Sequence, residues 1–505
     1  MTAPLPPPPG SLPGLPPLPA GFRIVPDPAT RELAPGIWFG GSPARIIRLT
    51  RAGQAAWQEL RCGPVASGAS GLLARRLTDA GLAHPLPPPD PAAALDVTVI
   101  VPARDRADLL ERCLAALGDA HPVVVVDDGS QQPGAVAKAA GRHGAKLIRR
   151  DVNGGPGAAR NTALDSVTSE LVAFVDSDCV PTPGWLGKLA AHFADPLVAA
   201  AAPRIAGLAP ATWAGRYTSA SGALDLGDRA ARVVPRTRVA YVPTAALVTR
   251  RAALLAVARD GQVFDEVMRT GEDVDLVWRL HEAGWRVRYD PAVLVRHREP
   301  ASWSGLLARR YRYGSSAAPL ALRHPGSVPP LVLSPWPAAT VAAALARRPV
   351  AAAAVFGASV IATDRTLRRA RVPRRGTART LLAATGQTWL GIGRYGTQYA
   401  APLLAAAIAA PGRGPATRRW GRRAAAGALL LAAPLTAWAA IPQALDPVRF
   451  TLGRIADDVA YGLGVWSGCI ASRTTAPLRP VIAWHQLRIT AKASHPRDEK
   501  DGNPR

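Results

Sequence analysis

Cysteine is scarce in this chain: four in 505 residues. Cys62, Cys113, Cys179 and Cys469 lie far apart and form no CxxC pair. That spacing argues against a structural zinc site and a disulfide scaffold, and it fits a reducing, cytosolic compartment. Acidic side chains are outnumbered, with 36 Asp and Glu against 61 Lys and Arg and a formal net charge of +25. The basic residues are nearly all Arg. Such an excess suits polyanionic partners: nucleotides, anionic lipid or nucleic acid. A GC-rich coding bias, read with the abundant Ala, Pro and Gly, explains much of it equally well. Nucleic acid is not expected, because neither zinc-finger spacing nor an RNP-like aromatic motif occurs. A GxxxxGK phosphate loop is missing. The first residues hold no basic n-region and no apolar h-region, so no secretory signal is expected there.

The length suggests roughly two to four domains, and 48% hydrophobic residues can fill a large core. Residues 1–19 are Pro, Leu and Gly with almost no charge, and a mobile tail is expected. Residues 20–85 read as a small module of short strands followed by helices. Thr50 is the expected N-cap of a helix through Trp57 and Leu60, and a second helix should end at Gly81. The pattern is winged-helix-like, which keeps a DNA-binding or nucleotide-sugar-sensing regulator as an alternative. Residues 86–94 form a Pro-rich linker. Residues 95–315 alternate apolar strands with amphipathic helices. This predicts an α/β domain with a parallel sheet covered on both faces. Ligands of such sheets bind at the C-terminal strand ends.

Residues 325–485 are Ala- and Arg-rich and predicted helical. Apolar runs fall at 328–346, 350–362, 398–410 and 424–441, separated by Arg clusters. A span needs about 20 apolar residues; the first and last runs approach that, and the middle two are short. Three readings stand side by side: membrane spans, helices lying on an anionic membrane surface, and buried helices of a soluble domain. If the runs span, the Arg clusters face the cytoplasm. Residues 486–505 are polar and expected to be disordered.

Four constellations carry candidate chemistry. Pro102 and Arg104 end one strand; Asp127 and Asp128, followed by Gly129 and Ser130, end the next. A carboxylate there can accept from a base N–H or a ribose hydroxyl, although Asp and Gly also end many strands in ordinary turns. The segment from Asn153 to Asn161, NGGPGAARN, brings backbone close to a ligand at a helix start, where phosphate is favoured. Gly157 and Asn161 belong to it, and Arg160 is placed to reach a diphosphate. The alternative is a plain Gly-rich helix start. Asp176 and Asp178 follow LVAFV two residues apart, expected on one side of an extended chain. Such a pair can hold a hard cation that also binds substrate phosphates. Glu272, Asp273 and Asp275 crowd the start of a helix. The macrodipole favours acids there, and one of them can serve as general base for an acceptor hydroxyl. His297, after the strand PAVLVRH, is either a further metal ligand or a solvated strand-end residue. RRYRYG, Arg309 to Gly314, either lines a groove or forms an exposed helix.

In order and spacing, these motifs resemble glycosyltransferase family 2 with its GT-A fold, a Rossmann-like mixed sheet, over residues 95–315. The resemblance implies that Asp127 or Asp128 contacts a uracil. It implies that Asp176 and Asp178 serve the metal, Asp178 more firmly, and that Asp273 of the Glu272–Asp273 pair is the catalytic base. It further implies Mg2+ or Mn2+ dependence and inversion at the anomeric carbon. The QxxRW signature of processive synthases is absent, with RRYRYG roughly in its place. The whole chain is similar to the mycofactocin-system glycosyltransferases of actinobacteria. Its N-terminal stretch is similar to the peptide-recognition elements of ribosomal-peptide pathways. That resemblance implies UDP-glucose as donor, a peptide-derived small-molecule acceptor (premycofactocin) and a β-1,4-linked glucose product. The Arg-flanked apolar runs, for their part, lead to the expectation of work at the cytoplasmic face of the membrane, multi-pass or peripheral, with the catalytic domain in the cytosol. A membrane enzyme with a lipid or cell-wall acceptor is the alternative.

Overall fold

The structure, a computed structural model, describes residues 14–88, 96–208, 212–373, 376–409, 416–441, 445–483 and 488–490. The chain divides into two units.

The smaller unit comprises residues 15–88, 364–375 and 485–505. It begins with strands β1 (Arg23–Pro26), β2 (Arg31–Ala34), β3 (Ile37–Gly40) and β4 (Arg45–Arg48), continues through helices α1 (Arg51–Cys62) and α2 (Gly68–Asp79), and returns in β5 (Ala83–Leu86). Thr50 caps α1 as expected, its hydroxyl accepting from the Gly53 N–H at 3.1 Å. Leu60 and Ala56 of α1 meet Leu73 and Leu77 of α2 in one core with Phe22. Leu18 joins this core, its N–H donates to the Gly71 carbonyl at 2.9 Å, and Arg75 reaches the Pro16 carbonyl at 3.1 Å. The tail expected over 1–19 therefore gives way to packed chain by Pro16. Residues 1–13, and most of the linker expected at 86–94, lie outside the described residues.

The larger unit holds the α/β domain. Its elements are β6 (Val97–Ala103), α3 (Ala107–Leu117), β7 (Val123–Asp128), α4 (Pro133–Arg142), β8 (Lys146–Arg150), α5 (Pro156–Leu164), β9 (Leu171–Val175) and β10 (Cys179–Pro181). There follow α6 (Trp185–Ala190), β11 (Val198–Leu208), α7 (Trp213–Ser221), β12 (Ala231–Arg232), β13 (Ala246–Arg250), α8 (Arg251–Ala256), α9 (Glu272–Glu282), β14 (Arg286–Arg298), α10 (Trp303–Ser315) and α11 (Ala317–Arg323). The strand order is β10-β14-β11-β13-β9-β6-β7-β8, with β12 beside β14. The half from β9 to β8 is parallel, as predicted, while β13 runs antiparallel to both β9 and β11, so the sheet is mixed. Alternate residues feed opposite faces. Ile100, Val126 and Phe174 enter one core; Val101, Val125 and Val175 enter the other. Both faces are buried, which is why these strands read as unbroken apolar runs.

The same unit continues into β15 (Val332–Leu333), α12 (Pro335–Leu345), α13 (Pro349–Arg369) as far as Thr363, α14 (Thr377–Ala409), α15 (Ala416–Ala439), α16 (Pro447–Ala471) and β16 (Val481–Ile482); the end of α13 from Asp364 belongs to the smaller unit. The separate region expected over 325–485 thus merges with the catalytic unit, because α16 packs along α10. The run 328–346 is no single helix: Pro335 starts α12, which has 11 residues. The run 398–410 falls within α14, which loses helical geometry at Ala400 (φ −136°, ψ 27°) just ahead of Pro402. Among the described residues, one helix is long and apolar enough to cross a membrane, the 21-residue α13. The length expectation for the runs is thereby reversed, since α13 contains the short run 350–362. A last strand, β17 (Arg488–Thr490), pairs with β4, inside the tail expected at 486–505. Residues 491–505 lie outside the described residues.

Candidate active site

The ends of β6 and β7 form one lip of the site. Pro102 pairs with Val126 across the two strands. Arg104 is exposed, 3.9 Å from Asp105. Asp105 and Arg106 both take positive φ, 53° and 47°. The Asp105 N–H donates to the Ser130 hydroxyl at 2.7 Å, and Gln131 N–H donates to the Asp105 carboxylate at 2.8 Å. The DDGS turn is thus tied to the end of β6. Asp127 is fully buried; it accepts from the Ser130 N–H at 3.0 Å and pairs with Arg149. Asp128 accepts from Gly154 N–H at 2.9 Å, Gly155 N–H at 2.7 Å and Arg150 Nε at 3.0 Å. Its oxygens are consumed in pinning the Gly-rich loop. Gly129 (φ 69°) makes this possible, since a Cβ there would lie 2.8 Å from the Asn153 nitrogen.

The loop opens α5, and here the structure departs from expectation. Arg160 is buried rather than open to a diphosphate. It donates to Glu272 at 3.0 Å and to Asp176 at 2.7 Å, with its guanidinium 5.5 Å from the Phe264 ring centre. In the interior a guanidinium needs carboxylates more than exposure, and two acids from distant segments supply them. Asn161 is buried too, and clamps the 264–266 segment: it donates to Phe264 O at 2.8 Å and accepts from Phe264 N–H at 2.9 Å. Asn153 remains at the rim. It accepts from Gly155 N–H at 3.0 Å and, from Arg269, at 3.4 Å. Gly157 packs near Phe264 and Glu272. Arg149, Arg150 and Arg269 were not singled out in the sequence; only their pairing identifies them.

Asp176 and Asp178 sit in a turn between β9 and β10, closed by Cys179 N–H to Asp176 O at 2.9 Å, not on an extended strand. They consequently face different partners. Asp176 turns one oxygen to Arg160; its other oxygen accepts nothing among the described residues. Asp178 lies 3.5 Å from His297 Nε2 and 3.7 Å from Arg106. Burial raises the Asp178 carboxyl above its ordinary range, and the neighbouring His297 pulls the other way. Register explains the meeting: Cys179 pairs with His297 across β10 and β14. Behind it, Glu299 accepts from His297 Nδ1 at 3.1 Å. That arrangement leaves Nε2 toward Asp178, the habit of a metal-ligating imidazole backed by a carboxylate. Glu299 was missed in the sequence, though it stands two residues after His297 on the same strand end. Among the described residues, no three His, Cys, Asp or Glu side chains are closed around one point. The donor set of Asp178, His297 and the open oxygen of Asp176 still fits a hard divalent cation in chemistry.

Across the site, α9 presents its first turn. Glu272 is buried against Arg160. Asp275 is buried between Arg279 at 2.7 Å and His324 at 3.0 Å; these partners outweigh burial and lower its pKa. Asp273 is half-buried and makes no ion pair among the described residues; the Val274 N–H donates to it at 2.8 Å. Burial, then the charge of Glu272, push it up to about 7 against the pull of Arg160. An acid poised there is suited to proton transfer at neutral pH. RRYRYG forms the last turns of α10 and is exposed on one side only: Tyr311 and Arg312 face solvent, while Arg309 pairs with Glu299 at 3.4 Å and Arg310 pairs with Asp457.

A mixed sheet with carboxylates gathered at its strand ends and at one facing helix start defines a GT-A glycosyltransferase. The pattern of glycosyl transferase family 2 matches residues 98–254, and the chain belongs to that family as a hexosyltransferase. Over 488 residues it is 37% identical to the pre-mycofactocin glycosyltransferase of Mycobacterium tuberculosis, covering 92% of this chain and 98% of that one. It is 33% identical over 211 residues to a succinoglycan biosynthesis protein of Rhizobium meliloti, covering 39% of this chain and 60% of the relative. Among solved structures, it is similar to a mannosyltransferase from Pyrobaculum calidifontis in complex with GDP-Man and Mn2+. That likeness has 23% identity and a TM-score of 0.35 over 59% of this chain and 88% of the other.

Proposed function

We propose that this enzyme transfers glucose from UDP-glucose to premycofactocin with inversion, and that repeated transfer builds a β-1,4-linked glucan. The acceptor is taken from the name of the Mycobacterium tuberculosis relative, which spans nearly the whole chain. The observation carrying the chemistry is Asp273, unpaired, half-buried and pushed up to about 7. The acceptor oxygen attacks the anomeric carbon while the bond to the diphosphate oxygen breaks. The hydroxyl proton passes to Asp273, and the electron pair leaves with UDP. A single in-line displacement inverts the carbon and needs no enzyme nucleophile. Asp178, His297 and Asp176 would hold Mg2+ or Mn2+, which supplies charge neutralisation to the departing diphosphate. Pro102, Arg104 and Asn153 line the donor side in this reading, with Asp127 behind them on Arg149, Asp128 and Gly157 shaping the loop, and Arg160 and Asn161 holding it from behind. The smaller unit contributes peptide recognition.

The same reading seats the C-terminal helices at the cytoplasmic face of an anionic membrane. The 21 residues of α13 run about 30 Å, near the thickness of a hydrocarbon core. Val350 and Ile361 on α13 are exposed, Arg347 and Arg348 precede it, and Arg368 and Arg369 form its end. That exposed helix also favours a second reading, transfer to a lipid or cell-wall acceptor. One assay separates the two. Purified protein is incubated with premycofactocin aglycone, UDP-glucose and Mn2+ or Mg2+, against an EDTA control, and analysed by mass spectrometry. Successive hexose additions that vanish with EDTA are expected. UDP-glucose hydrolysis without transfer moves the acceptor to lipid. Neither transfer nor hydrolysis refutes the donor assignment.

A further inference from the structure

Two tyrosines from different parts of the chain, Tyr241 and Tyr313, feel the charge of Asp273, and a third, Tyr461, adjoins Tyr241. Tyr241 precedes β13; Trp278 of α9 donates its indole N–H to the Ala240 carbonyl at 2.8 Å, fixing that segment to the helix that begins with Glu272 and Asp273. Tyr313 lies in the last turn of α10. Three residues on, Ser316 packs against Gly271, where an added Cβ would meet Ser316 Cβ at 3.0 Å. The end of α10 therefore stands beside the first turn of α9. Tyr461 belongs to α16. Gly314 lies so near that helix that a Cβ would fall 2.0 Å from the Tyr461 carbonyl oxygen, an approach only glycine permits. Arg310 stands 5.7 Å from the Tyr461 ring centre and is held by Asp457, which also accepts from the Tyr217 hydroxyl at 3.1 Å.

All three tyrosines are half-buried, yet among the described residues their hydroxyls make no hydrogen bond. Burial above all, with the charge of Asp273 next, raises the Tyr241 phenol. Burial also raises Tyr313 and Tyr461. The phenols stay neutral donors over the pH range in which Asp273 loses its proton.

We propose that Tyr241, Tyr313 and Tyr461, with Arg310, form the acceptor subsite, and that α16 supplies Tyr461 to select an acceptor presenting a hydroxyl on a six-membered ring. This rests on Asp273 being the base. Ring faces pack on aromatic or pyranose rings, and neutral phenols orient the hydroxyl that reacts. Each transfer places a new pyranose where the first ring stood, so the same walls serve the next round. The family pattern ends at residue 254, well before Tyr313 and Tyr461.

The test uses full-length Tyr461→Ala and Tyr461→Phe with premycofactocin aglycone and UDP-glucose. Tyr461→Ala should raise the acceptor KM about tenfold with the UDP-glucose Kd unchanged; Tyr461→Phe, which keeps the ring face, should fall between. An unchanged acceptor KM in both variants, or an equal loss of donor affinity, overturns the subsite. If the wild type does not glycosylate the aglycone, the acceptor reading above fails separately. The subsite is then judged by UDP-glucose hydrolysis, with water as acceptor. Tyr461→Ala should accelerate it by opening the base to water, and an unchanged rate overturns the proposal.

Discussion

Asp457 and Asp458, buried in α16, are each answered by a cation, whereas Asp273, at the start of α9, is not. Asp457 meets Arg310 and Tyr217; Asp458 meets Arg394 at 3.2 Å, Arg454 at 3.4 Å and Gln398 at 2.8 Å. At the start of α9, buried Arg160 is shared by Asp176 and Glu272, and Arg279 is taken by Asp275. Asp273 is left to face burial and the charge of Glu272, and its pKa climbs to about 7. Complete pairing makes α16 a joint that holds a helix to the catalytic unit. Incomplete pairing suits the α9 cluster to accept a proton in the reaction proposed above. The same residue types serve both ends, and the count of cations decides which.

Three variants break or sharpen that contrast. Asp178→Ala should abolish metal-dependent turnover, because it removes the carboxylate facing His297; full activity in the transfer assay would remove the metal assignment. Asp273→Asn should lower transfer by about two to four orders of magnitude while UDP-glucose binding persists; a normal rate in that variant would show that another group takes the proton. Asp457→Ala should destabilise the protein by about 3–5 kcal/mol, since Arg310 is left buried without its carboxylate. Thermal melting measures this, and an unchanged Tm would mean that the joint holds nothing.

The smallest effect concerns pH. Asp273 titrates near 3.8 when unfolded and about 7 when folded, so the folded state binds the extra proton between those values. Its contribution favours folding at low pH and is lost as pH rises through 7. The Tm of Asp273→Asn should therefore gain on the wild type by a few degrees between pH 4 and pH 8, while wild-type transfer rises with pH through about 7. A gap in Tm that stays constant with pH would refute the raised pKa.

Much of the catalytic core was legible residue by residue. The apolar runs at 97–103, 123–128 and 171–175 became adjacent parallel strands, and Thr50 caps its helix. Periodicity and capping are local properties, carried by neighbours in sequence. The antiparallel β13 was not legible, because strand direction in a sheet depends on the path of the intervening chain. Arg160 was misplaced for a similar reason. Nothing near NGGPGAARN reveals that Glu272, over a hundred residues away, would claim its guanidinium. The apolar C-terminal runs misled in length, since Pro335 starts a short helix within the run at 328–346 while the short run at 350–362 extends into the 21-residue α13.

By itself, the sequence determined the elements and the motifs: which segments are strands, which turns hold glycine, which strand ends and helix start carry acids. Those follow from side-chain period, backbone freedom and charge, all read within a few residues. Only the tertiary structure decided which acid is left unpaired and which helix walls the site. Pairing in a buried, low-dielectric interior depends on distance in space. The partners of Asp176, Glu272 and Asp457 lie respectively 16, 112 and 147 residues away, at Arg160, Arg160 and Arg310 (176 − 160, 272 − 160, 457 − 310). Folding alone brings them within reach.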